Sequence, residues 1–377
     1  MQNKIVSLYF SNRNHGSLLE IVLKALDKMN AQVLLFLADG LEQYVFPKER
    51  IILEQTIWNT RFTPQGVFEK LNESDFVILD QLYSLRELYS FSSHKIGKPT
   101  LLLVHNCNTW FRPRIPTSLV PFAKHVMTQK VRKQISYFAV AGENMLEYSK
   151  KELRVKNVGL IPFRYDDFNP KTDLSEELYS HGNRIRLVVP GMISDRRNYL
   201  ELLEVVATEA LKEKVELVLL GKPDGTYGQK ILIEAEALQS QGYMIRYWKG
   251  FIPQEEFEKE IREAHLLFSY FHPEYITNNG QLETYGVSKE TGIVLLMYNK
   301  AKVGILPASF RQMKTIQNQT LTFEDFMDLK SLLLKVYTGE IDLQVLTQNA
   351  IQNARAMKLQ LIIDQISMAF SHQIKNS

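Results

Sequence analysis

Short, largely apolar runs alternate with amphipathic helical stretches along this chain, and they do so in two series separated by a polar segment. An apolar run of five or six residues is a strand buried on both faces. Strands alternating with helices form a parallel sheet whose crossovers cover it. In the first series we read strands at Lys4–Phe10, Gln32–Leu37, Asp75–Asp80, Thr100–His105, Ile135–Val140 and Val155–Ile161, with a helix at Gly16–Met29. The polar stretch Arg164–Gly182, with Pro170 and a run of acids, reads as a linker. The second series has strands at Ile185–Pro190, Val215–Gly221, Tyr243–Trp248, Leu266–Phe271 and Val303–Leu306. Its helices are predicted at Arg197–Lys212, Gly228–Gln241, Gln254–His265, Gly286–Lys300, Thr322–Tyr337 and Leu343–Phe370.

The fold class expected is therefore α/β, with two doubly wound Rossmann-like domains facing each other across a cleft. The first spans residues 1–170 and the second 171–345, and a last helix within 346–377 packs back on the first. A chain of 377 residues has ample material for two such cores. No apolar run reaches the length of a membrane span, the start lacks the pattern of a signal peptide, and one cysteine excludes an internal disulfide framework. The expected place is the cytoplasm, with a peripheral position at the inner membrane face.

The net charge of +3 hides an asymmetry: from Leu88 to Gly142 there is no Asp or Glu, against eight Lys or Arg. That bias suits an anionic partner, either a phosphate group or lipid headgroups. No zinc spacing, RNA-binding aromatic signature or Walker lysine loop accompanies it, so nucleic acid is not expected.

Strand-to-helix turns hold the residues with chemistry, because a strand's carboxyl end feeding a helix amino end is where open α/β sheets bind anions. In Pro190–Tyr199, Gly191 follows a strand and Arg196 and Arg197 open the next helix, a site suited to a diphosphate. Lys222 lies in a glycine-containing turn and reaches either a phosphate or solvent. Phe251 and Ile252 lie in a loop that could hold a planar base. Leu266–Gly292 runs from a strand through a polar loop to Glu283, Gly286, Lys289 and Glu290 at a predicted helix start. In the first half, Gly16 opens a helix after His15, and His105 ends a strand and begins His-Asn-Cys-Asn-Thr-Trp-Phe. A strand-end histidine can bond a hydroxyl or act as a base, although a lone histidine is commonly structural. Asn106, Trp110 and Arg112 follow it, Trp110 reading as core, as a lid or as a membrane contact. Cys107 reads as structural.

Taken together these turns resemble the GT-B glycosyltransferases, most nearly the retaining family 4 group. VVPGMISDRRNY is similar to that family's basic phosphate turn, VELVLLGKPDG to its next glycine turn, and YWKGFIPQEEF to its base-contacting loop. ETYGVSKETG is similar to its acidic motif, and LLLVHNCNTWF to its histidine loop on the acceptor side. Three departures stand out. Six residues rather than seven separate Glu283 from Glu290, which turns a helical side chain by about 100°. Met192 stands where an arginine is common, and the loop at Gly16 lacks a second glycine.

The resemblance implies transfer of a sugar from a nucleotide diphosphate sugar to an acceptor hydroxyl, with retention of configuration, in polysaccharide or glycoconjugate synthesis. It implies no cofactor and no metal, the leaving diphosphate being stabilised by helix dipoles and basic side chains. Arg196, Arg197, Lys289 and the amides of Gly16 and Gly286 would bind the diphosphate, Glu283 the donor sugar, Glu290 the ribose, and His105 would orient the sugar. His15, Asn106, Trp110 and Arg112 would face the acceptor, a phosphate-bearing or lipid-linked glycan. The alternative is a non-catalytic nucleotide-sugar-binding subunit or scaffold with a GT-B shell.

Overall fold

The computed structural model describes residues 3–45, 51–58, 66–112, 115, 118–162, 184–277 and 280–374. The expected linker, Arg164–Gly182, lies outside them. The chain divides into two compact units, one made of Met1–Tyr165, Glu274–Glu290 and Lys358–Ser377, the other of Asp166–Pro273 and Thr291–Met357.

The first unit is built on a seven-stranded parallel sheet. Its spatial order is Ile52–Trp58, Gln32–Ala38, Ile5–Phe10, Phe76–Leu79, Thr100–Val104, Tyr137–Val140, Val158–Leu160. The first strand thus sits inside the sheet, with its sequence successors to one side and Phe76–Leu79 to the other. The apolar runs form these strands because helices cover both faces; Leu8, Leu35, Ile78 and Leu102 have no exposed surface. Each such side chain removed from water contributes about 1.5–3 kcal/mol. The edge strand Ile52–Trp58 was not among the expected elements. It leaves Leu53 and Ile57 exposed and interleaves Glu54, Gln55 and Thr56, so it lacks the continuous apolar signature of its neighbours. A capping box starts the helix Leu85–Ser93: Ser84 accepts from the Glu87 amide while Glu87 accepts from the Ser84 amide.

The second unit repeats the topology. Its six parallel strands lie in the order Ile245–Tyr247, Val215–Leu220, Ile185–Pro190, Leu266–Phe268, Val303–Pro307, Thr320–Phe323. The last of these falls at a predicted helix start; the helix itself begins at Phe326 behind an Asp325 cap. The strand Leu266–Phe268 is shorter than expected.

Two segments depart further from the sequence reading. Residues Glu274–Glu290, expected in the second domain, group with the first unit as an antiparallel hairpin, Glu274–Ile276 against Leu282–Thr284. The next helix begins at Gly292 rather than Gly286. The single long helix predicted over Leu343–Phe370 is two helices, Leu343–Ala356 and Leu359–Ile374, broken where the chain passes from the second unit to the first. Neither Gly nor Pro marks that break. The last helix buries Ile362, Ile366 and Ala369, and sets Phe370 edge-on to Phe76, with centroids 5.7 Å apart.

Candidate active site

In a doubly wound sheet, ligands bind outside the carboxyl ends of the strands where the strand order reverses. In the first unit that point lies between Ile5–Phe10 and Phe76–Leu79. The first strand leads through the 3-10 turn Arg13–His15 into the helix Gly16–Lys28. Asp80 is the residue after Phe76–Leu79, and His105 the residue after Thr100–Val104. Three strand ends therefore deliver three polar side chains to one place.

There they form a carboxylate-bridged pair of imidazoles. Asp80 is fully buried; its Oδ2 lies 2.7 Å from His15 Nδ1 and its Oδ1 3.1 Å from His105 Nε2. The two rings stack with centroids 4.0 Å apart and planes 16° from parallel. The Asn12 amide nitrogen lies 3.2 Å from His15 Nε2. With that amide donating, one neutral tautomer of His15 satisfies both contacts, its Nδ1–H donating to Asp80. Gln81 Oε1 accepts from the His105 and Asn106 amides at 2.6 and 3.1 Å, and the Tyr83 ring meets His15 edge-on. The His15 and His105 side chains keep 15% and 13% of their surface exposed, enough for each to touch a ligand.

The electrostatics follow from burial and mutual bonding. Burial alone would raise the Asp80 carboxyl, but the two imidazoles outweigh it and hold it below the usual carboxylate range. Burial and the neighbouring His15 push His105 down to about 4 against the opposing pull of Asp80, so His105 is neutral at pH 7. A neutral His105 that donates through Nε2 carries a lone pair on Nδ1. Burial, Asp80 and Glu87 raise the Tyr83 hydroxyl well above its ordinary value.

His15, Asp80 and His105 offer ligand atoms within 4.8 Å of one another, and among the described residues they are the group that could hold a metal ion. Their geometry fits hydrogen bonding better. Near-parallel rings direct their nitrogen lone pairs side by side rather than toward one point, and Asp80 already bridges both.

The hairpin is lashed to the loop after His105. Glu283, fully buried, accepts from the amides of Asn108 and Thr109 at 3.2 and 2.9 Å and from Thr109 Oγ1 at 3.0 Å, at the start of the short helix Cys107–Phe111. Burial raises its carboxyl against the lowering effect of these bonds. Lys289 donates to Asn106 Oδ1 at 2.8 Å and lies over the Tyr275 ring. Gly286 is at φ +74°, in a turn rather than at a helix start, and its amide donates to the Lys289 carbonyl at 2.8 Å. The expectation that this amide serves a diphosphate is thereby corrected: the turn uses it. So too is the expectation that Glu283 shares a domain with Arg196 and Arg197. Glu290 ends the same segment, half-buried. Arg112 is exposed and, with Asn108, Tyr148, Gln281, Leu282 and Thr284, lines a pocket of about 220 Å³. Trp110 is core, and burial raises the enclosed Cys107 thiol, which makes it a poor nucleophile. Gly16 opens its helix as expected; the Tyr44 ring packs where a Cβ would stand.

In the second unit the remaining candidates gather at the carboxyl edge of its sheet. Gly191, at φ +101°, follows Ile185–Pro190, and the Arg197 guanidinium folds back to donate to the Pro190 carbonyl. A Cβ on Gly191 would come within 2.9 Å of that guanidinium. The helix begins at Tyr199, so Arg196 and Arg197 occupy the turn before it rather than its first turn. The neighbouring turn packs directly against this one. The Ile193 amide donates to the Lys222 carbonyl at 3.0 Å, the Asp224 amide donates to the Ile193 carbonyl at 2.9 Å, and a Cβ on Gly221 would run into the Gly191 carbonyl. Arg196 and Lys222 are exposed, as is Phe251, while Ile252 is buried.

Two units, each a parallel sheet with the first strand inside it, make this a two-domain Rossmann-like α/β chain. No protein-family profile matches the chain, and no curated protein matches its sequence. Solved structures match along nearly its whole length. HepE from Anabaena, in complex with UDP and glucose, aligns with a TM-score of 0.65 at 14% identity, covering 98% of this chain and 100% of that one. A glycosyltransferase from Rickettsia africae ESF-5 aligns at 0.63 and 12%, and sucrose-phosphate synthase from Thermosynechococcus elongatus at 0.64 and 13%, each covering both chains completely. At such identities the likeness is one of fold, and that fold is GT-B.

Proposed function

We propose that this chain transfers a sugar from a nucleotide diphosphate sugar to an acceptor hydroxyl, with retention and without a resident metal. The observation that carries the reading is the His15–Asp80–His105 set at the strand-order reversal of a GT-B chain. A neutral, partly exposed imidazole held in one orientation is suited to positioning a hydroxyl. In the second unit, Arg196, Arg197 and Lys222 hold the diphosphate as charge develops on it. The acceptor oxygen bonds the anomeric carbon as the carbon–phosphate oxygen bond breaks, and the acceptor proton passes to the departing diphosphate. HepE's complex with UDP makes uridine diphosphate sugars the first donors to test. The acceptor we propose is a phosphate-bearing or lipid-linked glycan, in cytoplasmic glycoconjugate or polysaccharide synthesis.

The test is release of UDP from a panel of uridine diphosphate sugars, with Arg197→Ala beside the wild type. We expect roughly a 100-fold loss of turnover in the variant; an unchanged rate removes the diphosphate assignment. A second reading, a non-catalytic nucleotide-sugar-binding scaffold, is favoured by Glu283, whose carboxylate is buried and already takes three protein donors. Calorimetric binding of a donor that is never turned over, with any acceptor or with water, would decide for it.

A further inference from the structure

The helix Leu119–Arg132 in the first unit presents an apolar stripe to solvent. Leu119 is 87% exposed, Val120 56%, Phe122 46% and Val126 38%. Residues 119, 122, 123, 126, 130 and 133 fall within an arc of about 100° on a helix, Val120 stands about 60° outside it in the first turn, and Thr128 and Val131 lie on the opposite side. Thr128 and Val131 are buried, so the helix is seated by that face and its apolar stripe is left outward. The stripe ends in two exposed lysines, Lys130 and Lys133. Arg132 is tied down: it donates to the Phe111 carbonyl and lies over the Phe111 ring. Along this helix packs Leu85–Ser93, which exposes Arg86 and Tyr89.

Four solvent-facing apolar side chains in two turns are costly in water and call for a covering surface. The charge identifies which. The stretch Leu88–Gly142 has no acid to repel an anion, and Lys130 and Lys133 extend the same stripe. A helix with an apolar face, basic residues along it and an aromatic neighbour suits the headgroup boundary of an anionic bilayer. We infer that this face docks the protein on anionic lipid, Leu119, Phe122 and Val126 entering the boundary and the lysines meeting the headgroups. The inference does not depend on the transfer reaction.

Co-sedimentation of the full chain with vesicles of phosphatidylcholine, or of phosphatidylcholine with phosphatidylglycerol, tests it. The expected result is binding to the anionic vesicles only, weakening as salt rises. Phe122→Asp with Leu119→Asp, and separately Lys130→Glu with Lys133→Glu, should each reduce partitioning by roughly tenfold or more. Because all four side chains are exposed, melting temperatures should hold, and the wild-type lipid and salt comparison stands without the variants. Equal behaviour toward both vesicle types overturns the inference, as does undiminished binding by both variants. So does sedimentation equilibrium without lipid that shows a dimer broken by Phe122→Asp, which assigns the face to a second copy.

Discussion

The imidazoles of His15 and His105 lie face to face, 4.0 Å apart, joined through the carboxylate of Asp80. Each comes from the carboxyl end of a different strand, and the carboxylate that orients them has no exposed surface of its own.

Replacing Asp80 with Asn keeps the shape and removes the charge. The amide NH2 then faces a ring N–H, so one histidine must change tautomer. We expect a loss of roughly 100-fold in sugar transfer, the scale of a misoriented acid–base group. The nitrogen-15 shifts of His105 should show the new tautomer. Wild-type shifts in the variant would mean that Asp80 does not set the tautomer.

Acid should destabilise the protein above the range where carboxylates titrate. His105 and His265 are both pushed down to about 4, chiefly by burial, from an ordinary 6.5. Between those limits the unfolded chain binds protons at these positions and the folded chain does not. Stability is therefore full above pH 6.5 and falls as pH drops toward 4, by up to about 3 kcal/mol for each imidazole. Urea unfolding at pH 7.5, 6 and 5 measures this; a constant midpoint would refute it.

Gly221→Ala should destabilise the second unit. The added Cβ meets the Gly191 carbonyl, which is backbone and cannot swing aside. A cost of about 1–3 kcal/mol is expected, seen as a lower melting temperature and weaker donor binding. Gly225→Ala provides a nearby contrast, since its Cβ meets no atom and the strain comes only from φ +56°.

Glu283→Gln separates two roles. If the carboxylate chiefly anchors the hairpin, placing an NH2 among three donors costs about 1–3 kcal/mol and exposes Glu274–Glu290 to limited proteolysis. If it chiefly binds sugar, KM for the donor rises while the melting temperature stays near wild type. From the observed bonding we expect the first outcome.

Much of the architecture is written locally. Leu101–Val104 and Leu217–Leu220 are continuous apolar runs, and such runs are satisfied as strands covered on both faces, so two helix-covered parallel sheets follow from the sequence. The strand-end positions of His105, Gly191 and Lys222 follow with them. Other features have no local signature. Ile52–Trp58 is a strand because Gln32–Ala38 offers it an edge, not because its alternating polar residues demand one. The segment Glu274–Glu290 carries donors and acceptors that match the loop after His105, and only the folded first unit brings that loop within reach. The helix break at Met357 lies where the chain changes units, without a breaker residue. Asp80 shows the difference most sharply. By itself it is one acid at the end of an apolar run; it becomes the centre of the site because the strand order sets Phe76–Leu79 beside Ile5–Phe10 on one side and Thr100–Val104 on the other. Apolar burial acts on every residue of a run and is legible along the chain, whereas a three-residue hydrogen-bonded cluster depends on which strands become neighbours, and tertiary structure alone decides that.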